Sequence, residues 1–234
     1  PLENDQSVGL VAHVIAKRLG HFYHNEQVEA CLQFFEGKEA TMASYVPPML
    51  RRPFYCAGCP HNTSTKVPEG SFAMAGIGCH FMVQWMDRNT ALPTHMGGEG
   101  IPWVGSSSFT KQKHIFTNLG DGTYFHSGSL AIRAAVASKV NITYKILYND
   151  AVAMTGGQSV DGDLPVHRVA QQVVSEGVTK VWILTETLEN YKDRSLFPSE
   201  VEILSRDYLD TVAKLCQETK GTTVIIYDQT CAAE

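Results

Sequence analysis

Between residues 8 and 35 apolar side chains recur three and four positions apart: Val8, Val11, Val14, Ile15, Leu19, Phe22, Val28, Cys31, Leu32 and Phe35. Lys17, Arg18, Glu26, Gln27 and Glu29 fill the places between them. That period predicts a pair of amphipathic helices, broken near 21–25. Pro47, Pro48 and Pro53 interrupt any regular element, so 40–55 reads as a connector with a boundary near residue 50. Beyond it the pattern changes to short β-branched runs separated by helical stretches, the signature of an alternating α/β domain with a mainly parallel sheet. Strands are expected at 73–77, 113–119, 142–148, 180–185 and 222–227, with helices at 166–176 and 208–218. The expected organisation is a helical lead-in over 1–50 and a three-layer α/β domain over 51–234.

Composition narrows the function classes. The 234 residues carry 19 Lys and Arg against 24 Asp and Glu, a formal charge of −5, with 44% hydrophobic and 18% charged residues. A mildly acidic chain whose longest basic run is Arg51-Arg52 lacks the electrostatic footprint of a nucleic-acid or anionic-membrane binder. No window approaches the roughly 18 apolar residues of a membrane span, and no secretory leader opens the chain. A cytoplasmic location follows as the expectation. A start at Pro1 and a stop at Glu234, just after a strand-like run, suggest a piece of something longer. Six cysteines are too few for a disulfide scaffold, and two form a CxxC pair, which in such a chain points to metal or redox chemistry.

In parallel sheets ligands bind beyond the carboxyl ends of the strands. Gly120-Asp121-Gly122 and Asn149-Asp150 close two successive strands, and the interval 123–148 fits one helix plus one strand. Such a crossover sets the two ends side by side, so the Asp121 carboxylate and the Asn149 amide oxygen can meet on one hard cation. Mg²⁺ wants such oxygen ligands and keeps phosphate oxygens among them. Gly120 and Gly122 would let backbone approach a diphosphate closely. GDG by itself is also a common tight turn.

The cysteines give a second constellation. Cys56 and Cys59 form the CxxC pair, Cys79 lies 20 residues on in Gly76-Ile77-Gly78-Cys79, and Cys231 follows the last strand in a polar turn. Four thiolates suit Zn²⁺ or a 4Fe-4S cluster, and spacing does not choose between them. Cys31 and Cys216, on the apolar sides of helices, read as small buried hydrophobes.

Taken together, the segments YCAGCPHNTSTKVPEG, AGIGCH, THMGGEG, NLGDGTYFHSG, ILYNDAVAMTGGQ and IYDQTCAAE resemble the indolepyruvate ferredoxin oxidoreductases within the 2-oxoacid:ferredoxin oxidoreductase superfamily. The likeness is to the thiamine diphosphate-binding part of the long bacterial form in which subunits are fused. It runs over 51–234, and Asp150 departs from the second Asn that many thiamine enzymes carry there. The resemblance implies thiamine diphosphate held through Mg²⁺ by Asp121, Asn149 and the backbone carbonyl of Ala151. Gly120, Gly122, Thr155, Gly156, Gly157 and His95 are the further cofactor contacts, and Cys56, Cys59, Cys79 and Cys231 bind a proximal 4Fe-4S cluster.

The implied activity is oxidative decarboxylation of an aryl 2-oxoacid, with coenzyme A collecting the acyl group and ferredoxin the electrons. The implied partners are the rest of the fused polypeptide: a pyrimidine module supplying the activating glutamate, a transferase-like part and ferredoxin-like clusters. A homo-oligomer is expected, with neither nucleic acid nor membrane. Glu99 reads as a solvated turn residue or a cofactor contact, and Thr123 and Ser127 as helix caps or anion contacts. Two alternatives stand beside this reading. One is a non-catalytic zinc-binding interaction module, the other the same chemistry on pyruvate or 2-oxoglutarate.

Overall fold

The β-branched runs pair as the sequence pattern demands. In a computed structural model, which describes residues 8–44, 49, 52–160, 162 and 164–233 (the side chains of 8 and 43 excepted), the chain divides into two units, Pro1–Arg51 and Arg52–Glu234.

In the first unit, α1 (Val8–Leu19) and α2 (Glu26–Ser44) are separated by a short break. Lys17 and Arg18 sit in the last turn of α1, where cations suit the helix dipole. Asn25 opens α2, its side-chain oxygen accepting the backbone N–H groups of Gln27 (2.8 Å) and Val28 (3.3 Å), as an N-cap does. α2 runs to Ser44, four residues past where the prolines were expected to have begun the connector. Cys31 is exposed, contrary to the buried-hydrophobe reading: within its unit α2 packs against α1 and leaves most of its surface open.

The second unit is built on a parallel seven-stranded sheet, ordered β2-β1-β3-β4-β7-β5-β6. The strands are β1 (Ala73–Met74), β2 (Thr90–Ala91), β3 (Ile115–Gly120), β4 (Ile142–Tyr148), β5 (Lys180–Thr185), β6 (Glu202–Ser205) and β7 (Thr222–Asp228). All five expected strands are present. β2 and β6 carried no usable pattern: one has two residues, and the other, ending the sheet, is half exposed.

Short α3 (His61–Ser64) and α4 (Ile101–Ser106) lie in connections. The long helix after β3 starts as α5 (Asp121–Thr123), passes through a π-helical turn (Tyr124–Gly128) and continues as α6 (Ser129–Ala137). Such turns concentrate at functional sites. α7 (Val166–Ser175) and α8 (Leu209–Glu218) complete the set.

Successive strand residues face opposite sides, and the core divides accordingly. Ile142, Tyr144 and Ile146 of β4 join Ile183, Val224 and Ile226 against Ile132 of α6 and Val169 and Val173 of α7. Leu147, Trp182, Leu184 and Ile225 face Leu209, Val212 and Cys216 of α8. The result is a three-layer α/β arrangement. Cys216 is buried, as expected of a small hydrophobe in a helix–sheet interface.

Candidate functional site

Strand order brings the sequence motifs together. β1, β3, β4 and β7 are consecutive in the sheet, and their carboxyl ends lead into Gly76-Ile77-Gly78-Cys79, Gly120-Asp121-Gly122, Asn149-Asp150-Ala151 and Cys231. Segments spread over 155 positions of sequence thus meet on one rim.

Asp121 organises it. Its Oδ2 accepts the backbone N–H groups of Asn149 and Asp150, both at 2.9 Å, and its Oδ1 accepts that of Gly122 at 2.8 Å. Asn149 Oδ1 accepts the Ala151 N–H at 3.2 Å. Asp121 and Asn149 are 7% exposed and Ala151 4%. Burial raises the Asp121 carboxyl above the usual range, against the pull of its three backbone donors, and Asp150 raises it further. A carboxylate with two occupied oxygens that is still disfavoured in its charged form is the electrostatic setting a divalent cation would relieve.

Beside it opens a cleft of about 450 Å³, within the size range of ligand pockets. Its walls include Gly78, Cys79, Gly120, Asp121, Asn149 and Ala151. Gly122 also lines it, and a methyl group there would meet only Val152 Cγ2, at 3.5 Å. The backbone is therefore bare toward the cleft, as close approach by a diphosphate requires.

The TGGQ segment folds into a tight turn on the same cleft. Val152 N–H bonds Gln158 O at 2.7 Å, and the Thr155 hydroxyl donates to Gln158 Oε1 at 2.9 Å. Gly156 and Gly157 hold φ of 124° and 76°, which suit glycine. Thr155 lines the cleft, whereas Gly156 and Gly157 do not.

His95 is exposed and likewise outside the lining, its ring lying over Gly98. Glu99 is no solvated turn residue: it is 1% exposed, Oε2 accepts the Gly97 N–H at 2.7 Å and Oε1 has no partner. Neither Thr123 nor Ser127 caps the helix after β3, whose start has no side-chain cap. Ser127 Oγ instead bonds His126 Nδ1 at 2.6 Å.

The four motif cysteines are reduced; Cys56 is exposed and the others half-buried. Burial pushes the Cys59 and Cys79 thiols up, and in each case neighbouring motif cysteines add to the rise. Cys79 thus feels the charges of Cys56, Cys59 and Cys231, and Cys59 those of Cys56 and Cys231. Among the described residues no three His, Cys, Asp or Glu close on a point that would hold a single ion.

Three residues here went unassigned from sequence. His61 and His80 directly follow the cysteine motifs, both 3% exposed, with rings 5.6 Å apart; burial lowers them to about 4 and about 3. Lys145, within the apolar run of β4, is 1% exposed. A lysine in a wholly buried strand was the signal available.

Comparison with known proteins agrees with this geometry. Residues 76–181 match the thiamine pyrophosphate enzyme C-terminal TPP binding domain. Indolepyruvate oxidoreductase subunit IorA of Thermococcus kodakarensis is 25% identical over 93% of this chain and 34% of its own length. The Pyrococcus abyssi subunit IorA is 30% identical over 58% of this chain and 24% of its length. The chain thus spans about a third and about a quarter of the lengths of these two curated relatives. The 2-oxoglutarate:ferredoxin oxidoreductase of Magnetococcus marinus shares the fold, with TM-score 0.55 at 20% identity over 80% of this chain and 65% of that one. Domain match and relatives converge: residues 76–181 match a thiamine pyrophosphate-binding domain, and the chain is similar to part of the indolepyruvate oxidoreductase subunits IorA.

Proposed function

We propose that residues 51–234 form the Mg²⁺–thiamine diphosphate and proximal 4Fe-4S part of an indolepyruvate-type ferredoxin oxidoreductase, with 1–50 as its lead-in. The enzyme would convert aryl 2-oxoacids to aryl-acetyl-CoA and reduce ferredoxin. One observation carries this: Cys79 lines the same cleft as Asp121, Asn149 and Ala151. Electrons released at a cofactor held by these residues would have a thiolate-bound acceptor in the adjoining wall.

In this reading Asp121, Asn149 Oδ1 and the Ala151 carbonyl hold Mg²⁺, and Gly120 and Gly122 admit the diphosphate. Thiamine diphosphate, when bound, supplies the carbanion chemistry. The chain's own work is to fix the diphosphate. The activating glutamate comes from another module, and Glu99 has no such role. The remaining partners are coenzyme A, ferredoxin, the transferase-like part and further clusters, in a cytoplasmic homo-oligomer. Among the described residues no helix is long and apolar enough to cross a membrane.

Iron, sulfide and zinc content of the anaerobically purified chain, with Cys231→Ala as control, tests the cluster. About four irons with matching sulfide, lost in the variant, is the expected result. Stoichiometric zinc without sulfide would favour the interaction-module reading. Relative rates of the whole enzyme with indolepyruvate, phenylpyruvate and pyruvate test the aryl preference.

A further inference from the structure

One acid–base group on the cleft wall has no part in the function above. His126 is exposed and lines the same cleft as Asp121, Asn149 and Ala151. It lies in the π-helical turn Tyr124–Gly128, whose wider turn resets which side chains of the helix face the cleft. The ring is held from one edge: its Nδ1 and Ser127 Oγ are 2.6 Å apart. Ser127 is itself confined by the loop at 95–100. A Cβ on Gly97 would lie 2.3 Å from Ser127 Oγ, so the bare backbone of Gly97, at φ 90°, comes directly against the hydroxyl. The Gly97 N–H is in turn held by Oε2 of the buried Glu99 at 2.7 Å. Packing and a supporting hydrogen bond of this kind hold a reacting group in one geometry.

The rest of the wall leaves His126 without a competitor. Of the titratable side chains among the described lining residues, His61 and His80 are 3% exposed, Asp121 already accepts three backbone N–H groups, and Cys79 belongs to the proposed cluster set. Those lining residues include no lysine or arginine. Met96 and Phe125, both exposed, line the cleft as well and offer an apolar surface to a substrate side chain. We infer that His126 is a catalytic residue that donates its Nε2 proton to the keto oxygen of a bound 2-oxoacid, with Ser127 as its positioning residue. In the protonated ring Nδ1–H donates to Ser127 Oγ and Nε2–H to the keto oxygen. When the keto carbon takes its new bond from a carbanion nucleophile, the C=O π pair moves onto oxygen and captures the Nε2 proton. The N–H pair stays on Nε2, the ring is left neutral with Nδ1–H still on Ser127, and solvent restores the lost proton. An imidazole suits this task because its charge changes near neutral pH.

This inference rests on the thiamine diphosphate reading above, and the test separates the two. The substrate used is whichever of indolepyruvate, phenylpyruvate and pyruvate the whole enzyme turns over fastest. The whole enzyme, without coenzyme A or ferredoxin, is treated with diethyl pyrocarbonate, which acylates accessible imidazoles, and the modified peptides are sequenced by mass spectrometry. His126 should be acylated, and the 2-oxoacid should slow its acylation several-fold. An unmodified His126, or equal modification with and without the 2-oxoacid, overturns the inference. His126→Gln keeps an N–H donor but has no proton to give. Its kcat should fall by about 10²–10⁴-fold, with KM, thiamine diphosphate affinity and denaturation midpoint near the parent's. An unchanged kcat overturns the inference, and so does loss of thiamine diphosphate affinity, which would assign His126 to the cofactor. Ser127→Ala should lower kcat by less than His126→Gln, and a parent-like kcat there overturns the positioning role. A parent enzyme that neither binds thiamine diphosphate nor turns over any of the three 2-oxoacids overturns the function reading, and this inference with it.

Discussion

The backbone N–H of Cys231 donates to the carbonyl of Asn149 at 3.3 Å, across 82 positions of sequence. The contact exists because β4 and β7 are neighbours, so the turn leaving one strand lies against the turn leaving the other. The last cysteine of the proposed cluster set is thereby hung on a proposed Mg²⁺ ligand, and disturbing either loop should be felt in the other.

Asp121 is the first place to test this. Asp121→Ala removes acceptors from three backbone N–H groups, and hydrogen bonds to charged groups contribute about 1.5–3 kcal/mol each. We expect a lowered Tm and loss of Mg²⁺-dependent thiamine diphosphate binding. Asp121→Asn should recover part of the Tm and none of the binding. Calorimetric titration with and without Mg²⁺ checks both, and unchanged binding in either variant would sink the Mg²⁺ assignment.

Glycine positions separate fold from site. A Cβ at Gly76 would lie 2.2 Å from Asn118 O and 2.7 Å from His80 Nε2, so backbone must move; overpacking of this kind costs about 1–3 kcal/mol or more. Gly76→Ala should unfold at clearly lower denaturant concentration. Gly122→Ala meets only Val152 Cγ2 at 3.5 Å and should leave the denaturation midpoint nearly unchanged while weakening cofactor binding. Equal destabilisation by the two would contradict the packing argument.

His114 gives a pH signature away from the site. Burial lowers it from 6.5 to about 4, and its Nε2 bonds Thr143 Oγ1 at 2.7 Å. Between those values the unfolded chain binds the proton and the folded chain does not. The stability His114 contributes is therefore present above pH 6.5 and lost as pH falls toward 4. His114→Gln should flatten the denaturation midpoint across that window relative to the parent, and an identical slope in both chains would refute this.

Tyr144 ties the loop before α4 to the sheet. Its hydroxyl lies 3.0 Å from Glu99 O and 3.1 Å from Ala131 O, its single proton shared between the two carbonyls. Tyr144→Phe removes this donor at a cost of about 1 kcal/mol. Hydrogen exchange around 95–100 should speed up in this variant, and an unaltered exchange rate would count against the tie.

The sheet was legible because apolar runs at 113–119, 142–148, 180–185 and 222–227 had to be buried on both faces, which a parallel sheet under helices achieves. β2 and β6 were not, since a two-residue strand and a half-exposed edge strand leave no period to read. Spacing singled out Asp121, Asn149 and the cysteines as candidates because metal or diphosphate binding would demand particular residue types at strand ends.

Burial of single polar groups was decided elsewhere. Glu99 looked like a turn residue, yet it is covered. Cys31 sits on an apolar stripe, yet it is exposed, for a stripe is buried only where another element covers it. Lys145 occupies a position where alternation implies an apolar side chain, and only the closeness of α3 supplies carbonyls to receive its ammonium. The sequence by itself determined which residues could do chemistry and which runs must form strands. Strand order, a property of contacts remote in sequence, decided that Cys79, Asp121, Asn149 and Cys231 share one rim.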